Sequence, residues 1–213
     1  MGRLPNVSTI LAICTGNICR SPMAAGFLRS GLAERGVAGV AVASCGTSGW
    51  DGSEAVPETR QAMFERGVDV SGHRARRFEP GMARDADLIL AMAAEHRDAI
   101  ASAVPEAADR AFTLKELSRL LDRLDMDEPG DGAADLRPAA LAAAAARLRA
   151  SGTVEPSRDE DVADPLGLGV DAYRATAWEI EGLCTRILDA AFGPVPAAAE
   201  TESGTRRLEG GAS

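Results

Sequence analysis

Lysine is almost missing from this chain. Lys115 stands alone among 213 residues, against 22 arginines. That bias, with the abundant alanine, reads as GC-rich coding and carries no functional weight. Cysteines number four (Cys14, Cys19, Cys45 and Cys184), too few for a disulfide scaffold. There is no CxxC pair and there are only two histidines, His73 and His96, which argues against a structural zinc site. No apolar run approaches the ~20 residues of a membrane span. The amino-terminal apolar run passes into a Gly/Asn/Arg segment without a cleavage-like region, so it reads as a buried strand and not as a signal peptide. A net charge of −9 and a pI near 4.8 disfavour nucleic acid and anionic membranes as partners. What remains is a composition ordinary for a globular protein, 46% hydrophobic and 26% charged, and a chain long enough to bury a core without staples. A cytoplasmic location with reduced thiols is expected.

Residues 7–14, VSTILAIC, form a short apolar run with β-branched members and predict a central strand. A polar loop spans Thr15 to Arg20. Ser21 as N-cap and Pro22 at the first helical position predict a helix that stops at Gly36. Further strands are expected at 37–45, at Asp87–Met92 and, shorter, at Arg110–Leu114. Helices are expected at Pro57–Arg66, Ala93–Ala103, Lys115–Leu124 and Asp171–Phe192. Strands alternating with helices imply a parallel sheet covered on both faces, an α/β fold of three layers. Residues 125–160 read as an insertion carrying one Ala-rich helix, in the role of lid, partner surface or filler. The expected domain therefore spans 1–192, and residues 193–213 have the composition of a disordered tail. Nothing in the sequence sets the oligomeric state.

The chemistry concentrates in Cys14-Thr15-Gly16-Asn17-Ile18-Cys19-Arg20-Ser21-Pro22. A cysteine ends a buried strand, a tight loop follows, and a helix begins. Backbone N–H groups of such a loop converge on one point, and the helix end adds partial positive charge. Arg20 brings a planar, permanent cation suited to two oxygens of a phosphate. The result is an oxyanion cradle with sulfur at its floor, an environment that favours thiolate. Ser21 offers a hydroxyl donor to that sulfur. A buried free cysteine beside an ordinary turn would not require Gly, Asn, Arg, Ser and Pro at these offsets. A nucleotide cradle fails for lack of a GxxxxGK[ST] or GxGxxG pattern.

The segment CTGNICRSPMAAGFL resembles the active-site loop of the low-molecular-weight protein tyrosine phosphatases, Cys-x5-Arg-Ser near the amino terminus. The similarity continues in Ser44-Cys45-Gly46-Thr47 through Trp50, in Gly67 to Arg76, in DLILAM (87–92) and in Ala163-Asp164-Pro165, covering most of 7–122 and 162–192. The resemblance implies a four-stranded parallel α/β fold, no metal, no cofactor and a phosphocysteine intermediate. It implies Cys14 as nucleophile, Arg20 as the phosphate-binding arginine and Asp164 as general acid. It further implies Asn17 as the residue shaping the loop, His73 as its support, and Ser21 as the hydroxyl easing thiolate formation. Thr15, Gly16, Ile18 and Cys19 complete the substrate loop, and Trp50 is placed at the rim.

An acid is needed whatever the family, because an alkoxide or phenoxide leaves poorly without a proton. Asp164 is the only Asp followed by Pro, and the proline stiffens its loop; Asp161 is the reserve. After Asp-Pro the family often places aromatics, whereas this chain has Leu166-Gly167-Leu168-Gly169, leaving Leu166 and Trp50 to wall the cleft. Relatives acting on phosphoarginine carry threonine where this chain has Ile18, which tilts the reading toward an aromatic phosphoester. Cys19, five residues after Cys14, is a candidate redox partner for it. Cys45 and Cys184 read as inert core, and His96 as a surface helix residue. The expected activity is phosphomonoester hydrolysis, most directly of protein phosphotyrosine, on a phosphorylated protein or small phosphoester. The alternatives are phosphoarginine hydrolysis, arsenate reduction on the same scaffold, or a non-catalytic phosphoprotein-binding module.

Overall fold

The computed structural model describes residues 7–123 and 137–196. Its middle layer is a parallel sheet of β1 (Ser8–Cys14), β2 (Val40–Gly46), β3 (Leu88–Ala91) and β4 (Ala111–Thr113), in the spatial order β2-β1-β3-β4. β1 pairs with β2 from Ser8↔Val40 to Cys14↔Gly46, and on its other edge with β3 from Ile10↔Leu88 to Ile13↔Ala91. The strand order therefore reverses at β1, and the crevice of such a sheet opens beyond its carboxyl end, where Cys14 stands.

β1 is apolar throughout because both its faces are buried. Side chains alternate between the faces. Ile10 and Ala12 join Leu88, Leu90 and Phe112 in one core with helices α1 (Arg20–Glu34), α2 (Pro57–Phe64), α5 (Leu114–Leu121) and α7 (Val170–Phe192). Leu11 and Ile13 join Ile89 and Ala91 in a second, smaller core with α3 (Pro80–Asp85) and α4 (Ala94–Ala103). The three-layer expectation is met.

Several local expectations change. Ser21 is not the N-cap of α1: the helix begins at Arg20 with Cys19 at the cap position, and no side chain caps it. Pro22 sits inside the first turn, where its missing N–H has no intrahelical acceptor to lose. Two short elements escape periodicity, α3 and a single 3-10 helix over Pro105–Arg110, both opened by proline. The Ala-rich helix, α6 (Arg137–Ser151), is longer than its apolar run. It buries Leu141, Ala142 and Ala145 in the larger core, and the Arg149 guanidinium lies 3.9 Å from the Phe112 ring centroid. This helix of the insertion is therefore packed into the body of the fold. Residues 124–136, within the expected insertion, and residues 197–213, most of the expected carboxy-terminal segment, lie outside the described residues.

Candidate active site

The loop from Cys14 to Arg20 turns on Asn17, whose φ of +57° is left-handed. Asparagine tolerates that region better than most residues, yet the position still costs of order 1 kcal/mol. The side chain offsets the cost. Its Nδ2 donates to Ser21 Oγ at 2.8 Å and to Ser44 Oγ at 3.0 Å, and its Oδ1 accepts from the Arg76 N–H at 2.8 Å. Its own carbonyl accepts from His73 Nε2 at 2.7 Å. An acceptor there means that the His73 proton sits on Nε2. Burial, and then the charges of Arg29, Arg76 and Arg74, hold His73 below the ordinary histidine value against the pull of that carbonyl, so it supports the loop as a neutral ring.

The carbonyls of residues 14–18 are all engaged from outside the loop. Those of Cys14, Thr15, Gly16 and Ile18 accept from the N–H groups of Thr47, Ser48, Trp50 and Val56 at 2.9–3.1 Å, and that of Asn17 from His73. A loop whose carbonyls point outward turns its amides inward. Among the described residues, the N–H groups of Gly16, Ile18, Cys19 and Arg20 have no protein acceptor, and that of Asn17 points at Cys14 Sγ, 3.3 Å away. Gly46 makes the clamp possible, since a Cβ there would collide with the Thr15 carbonyl oxygen.

Cys14 Sγ lies 3.0 Å from Ser21 Oγ, so the sulfur is offered a hydroxyl as well as an amide. The Ser21 hydroxyl also reaches the Cys45 carbonyl at 3.4 Å, and it caps no helix. Arg20 is buried. Its Nη1 donates to the Val162 carbonyl at 3.0 Å, and its Nη2 meets Asp164 Oδ2 at 2.5 Å and Thr15 Oγ1 at 3.5 Å. Its Nε is buried without an acceptor among the described residues. Leaving a charged donor unpaired is costly, and an oxyanion above the sulfur relieves that cost.

Asp164 arrives on a segment pinned at both ends. The Val162 N–H donates to the Met92 carbonyl at 2.8 Å, and Asp164 Oδ1 accepts from the Leu166 N–H at 3.1 Å. Asp161, the reserve acid, instead accepts the Ala94 N–H at 2.7 Å at the start of α4. A cavity of about 130 Å³ joins Cys14, Thr15, Gly16, Ile18, Cys19, Arg20, Trp50, Asp164 and Leu166. Trp50 (55% exposed) and Leu166 (48%) are the large exposed apolar side chains that line it.

The site departs from the sequence reading at His96. The residue is 1% exposed and its Nε2 lies 2.9 Å from Thr15 Oγ1, at the loop itself. Its loop partner is 81 positions away, so no local pattern betrays the contact. Burial and then the Arg20 charge hold it below the ordinary histidine value. All four cysteines are free thiols. Burial pushes Cys19 up to about 11 and Cys45 up to about 12. Cys184, fully buried, is raised as well. No described helix is long and apolar enough to cross a membrane.

An open parallel α/β sheet with a thiol under a ring of inward amides defines an oxyanion-binding cysteine site. The family model of low molecular weight phosphotyrosine protein phosphatases matches residues 9–150, and the chain belongs to that family. It is 32% identical over 180 residues to a protein-arginine-phosphatase of Geobacillus stearothermophilus, spanning 84% of this chain and 93% of the relative. It is 39% identical over 105 residues to a low molecular weight protein-tyrosine-phosphatase of Escherichia coli K12, spanning 49% and 68%. Among solved structures, the low molecular weight protein tyrosine phosphatase of T. tengcongensis superposes with a TM-score of 0.63 at 30% identity, covering 85% of this chain and 98% of the other. The family match stops short of Asp164, so that residue rests on its own geometry.

Proposed function

We propose that the chain hydrolyses phosphomonoesters through a phosphocysteine intermediate, with protein phosphotyrosine as its substrate class. In this reading the phosphoryl oxygens take the inward amides and the Arg20 guanidinium. Cys14 Sγ attacks phosphorus in line with the leaving oxygen; the S–P bond forms as the P–O bond breaks. Asp164, protonated, gives its proton to the departing oxygen. The resulting carboxylate then takes a proton from water, whose oxygen attacks phosphorus, breaking the S–P bond and releasing phosphate and thiolate. Ser21 and the Asn17 amide stabilise the sulfur as it leaves. The observation that carries this reading is the buried, unpartnered Arg20 Nε beside amides with no protein acceptor, all around one sulfur.

The Arg20–Asp164 ion pair does not bar substrate. Asp164 is 43% exposed, so its carboxylate can turn to water while the phosphate dianion takes its place on the buried guanidinium fork and keeps that charge paired.

The decisive experiment is hydrolysis of p-nitrophenyl phosphate with chelator present. Native protein turns over; Cys14→Ser does not, yet still binds phosphate or vanadate. Full activity in Cys14→Ser overturns the mechanism, and binding without turnover in the native chain leaves a phosphoprotein-binding module. A phosphoarginine substrate is the second reading, favoured by the extended likeness to the Geobacillus enzyme. Ile18, Trp50 and Leu166 around the cavity favour an aromatic ring instead. Peptides carrying phosphotyrosine or phosphoarginine, compared by kcat/KM, separate the two, and thiol-dependent arsenate turnover would point to reduction.

A further inference from the structure

His96 and Thr15 form a pair that the hydrolytic mechanism does not use. Thr15 is exposed at the lip of the cavity, and His96 is buried behind it on α4. A neutral imidazole carries one proton, and its position decides what Thr15 can do. His96 Nδ1 is buried with no partner among the described residues, so a proton there would be an orphaned donor. On the other side, Glu95 Oε1 lies 3.4 Å from Nε2, and a carboxylate favours an N–H facing it. Both observations put the proton on Nε2, from which His96 donates to Thr15 Oγ1 at 2.9 Å. Arg20 Nη2 approaches the same oxygen at 3.5 Å. A hydroxyl oxygen has two lone pairs, and these two donors use them. Thr15 then has only its own O–H left, free to act as a donor toward the cavity it lines.

We infer that the Thr15 hydroxyl is a substrate-binding donor to an oxygen of the bound phosphoryl group, and that His96 is the positioning residue that turns it there. The inference rests on the phosphoryl-binding reading of the site. It adds to the amides a donor that a backbone cannot supply and that any aliphatic side chain at position 15 would lack.

A double-mutant cycle tests it, with kcat/KM for p-nitrophenyl phosphate and the inhibition constants of phosphate and vanadate as readouts. A hydrogen bond to a charged group is worth about tenfold or more in binding. Thr15→Val is expected to weaken phosphate and vanadate about tenfold, and Thr15→Ser to stay within about twofold of native. His96→Leu is expected to match Thr15→Val, and the double variant to be no worse than either alone. His96→Gln, whose amide N–H reaches toward the same oxygen, is expected to restore much of the loss. The 15N shifts of the native imidazole are expected to report the Nε2–H tautomer. Additive losses in the double variant, native affinity in Thr15→Val, or an Nδ1–H tautomer would each overturn the inference. Should His96→Leu fail to fold, the Thr15 variants, which alter an exposed side chain, and the tautomer still decide. A native chain without turnover or anion affinity defeats the function itself; an active enzyme with uncoupled Thr15 and His96 defeats only this pair.

Discussion

Arg20 Nη2 and Asp164 Oδ2 meet at 2.5 Å across the mouth of the cavity, joining residues 144 positions apart. The proposed phosphate-binding cation and the proposed acid thus hold each other in place. The proposed mechanism requires phosphate to take over the guanidinium and free the carboxyl group for the leaving oxygen.

Replacing that acid without changing its shape tests the second half of this exchange. Asp164→Asn keeps a partner for Arg20 but has no proton to give. Turnover of an alkyl or unsubstituted phenyl phosphate is expected to fall by about 10²–10⁴, the usual contribution of a general acid. The p-nitrophenyl ester, whose leaving group needs less help, is expected to fall less. Equal losses on both esters would remove Asp164 from the acid role.

Asn17 is the structural pivot of the loop. Asn17→Ala strands Ser21, Ser44 and the Arg76 N–H in the interior and leaves an alanine at a left-handed φ. A loss of about 2–4 kcal/mol in stability is expected, measured by denaturant unfolding, together with a collapse of kcat. Asn17→Gly relieves the backbone but not the orphaned partners, so it is expected to fall between alanine and native. A glycine variant as stable as native would show that the hydrogen bonds count for little.

The two histidines give the fold a pH signature. Both are held below the ordinary value of 6.5, His73 by burial and three arginines, His96 by burial and Arg20. The unfolded chain therefore binds protons that the folded chain refuses. Their stabilising contribution is complete above about pH 6.5 and is lost as pH falls through the lower folded-state values. Melting temperature is expected to drop between about pH 7.5 and about pH 5.5, and to drop less in His73→Gln. A steeper fall in that variant would contradict the assignment.

Alkylation by iodoacetamide separates the thiols. Cys19, Cys45 and Cys184 are buried and raised, Cys19 to about 11 and Cys45 to about 12. Cys14 and Cys19 both line the cavity, but of the two it is Cys14 whose sulfur is faced by a hydroxyl and an amide. Modification is expected first at Cys14, slowed by phosphate, with loss of activity in proportion; peptide mapping reads the site. First labelling at Cys45 or Cys184 would mean that the fold opens more readily than its core suggests.

Sequence carried the cradle because its parts are close in the chain: Cys14, Asn17, Arg20 and Ser21 fall within eight residues, and local spacing alone puts them on one turn. Asp164 was legible for a different reason, the proline that follows it. Ser21 was legible as a hydroxyl beside the sulfur, 3.0 Å from it, but not as a helix residue: the Ser-Pro pair is a common helix start, yet the helix begins one residue earlier, at Arg20. His96 was missed because its partner at the loop, Thr15, lies 81 positions away in the chain. The Arg76 N–H that holds Asn17 has no side-chain signature at all, since any residue but proline supplies a backbone donor.

The outward carbonyls of residues 14–18 have a practical corollary. A ring of amides is stiff only while something else grips its back, and here the grip comes from residues 47–56 and from His73. A short peptide copied from the loop would relax and lose its hold on anions. Conversely, substitutions in those remote segments can tighten or slacken the ring without altering a single atom that meets the ligand.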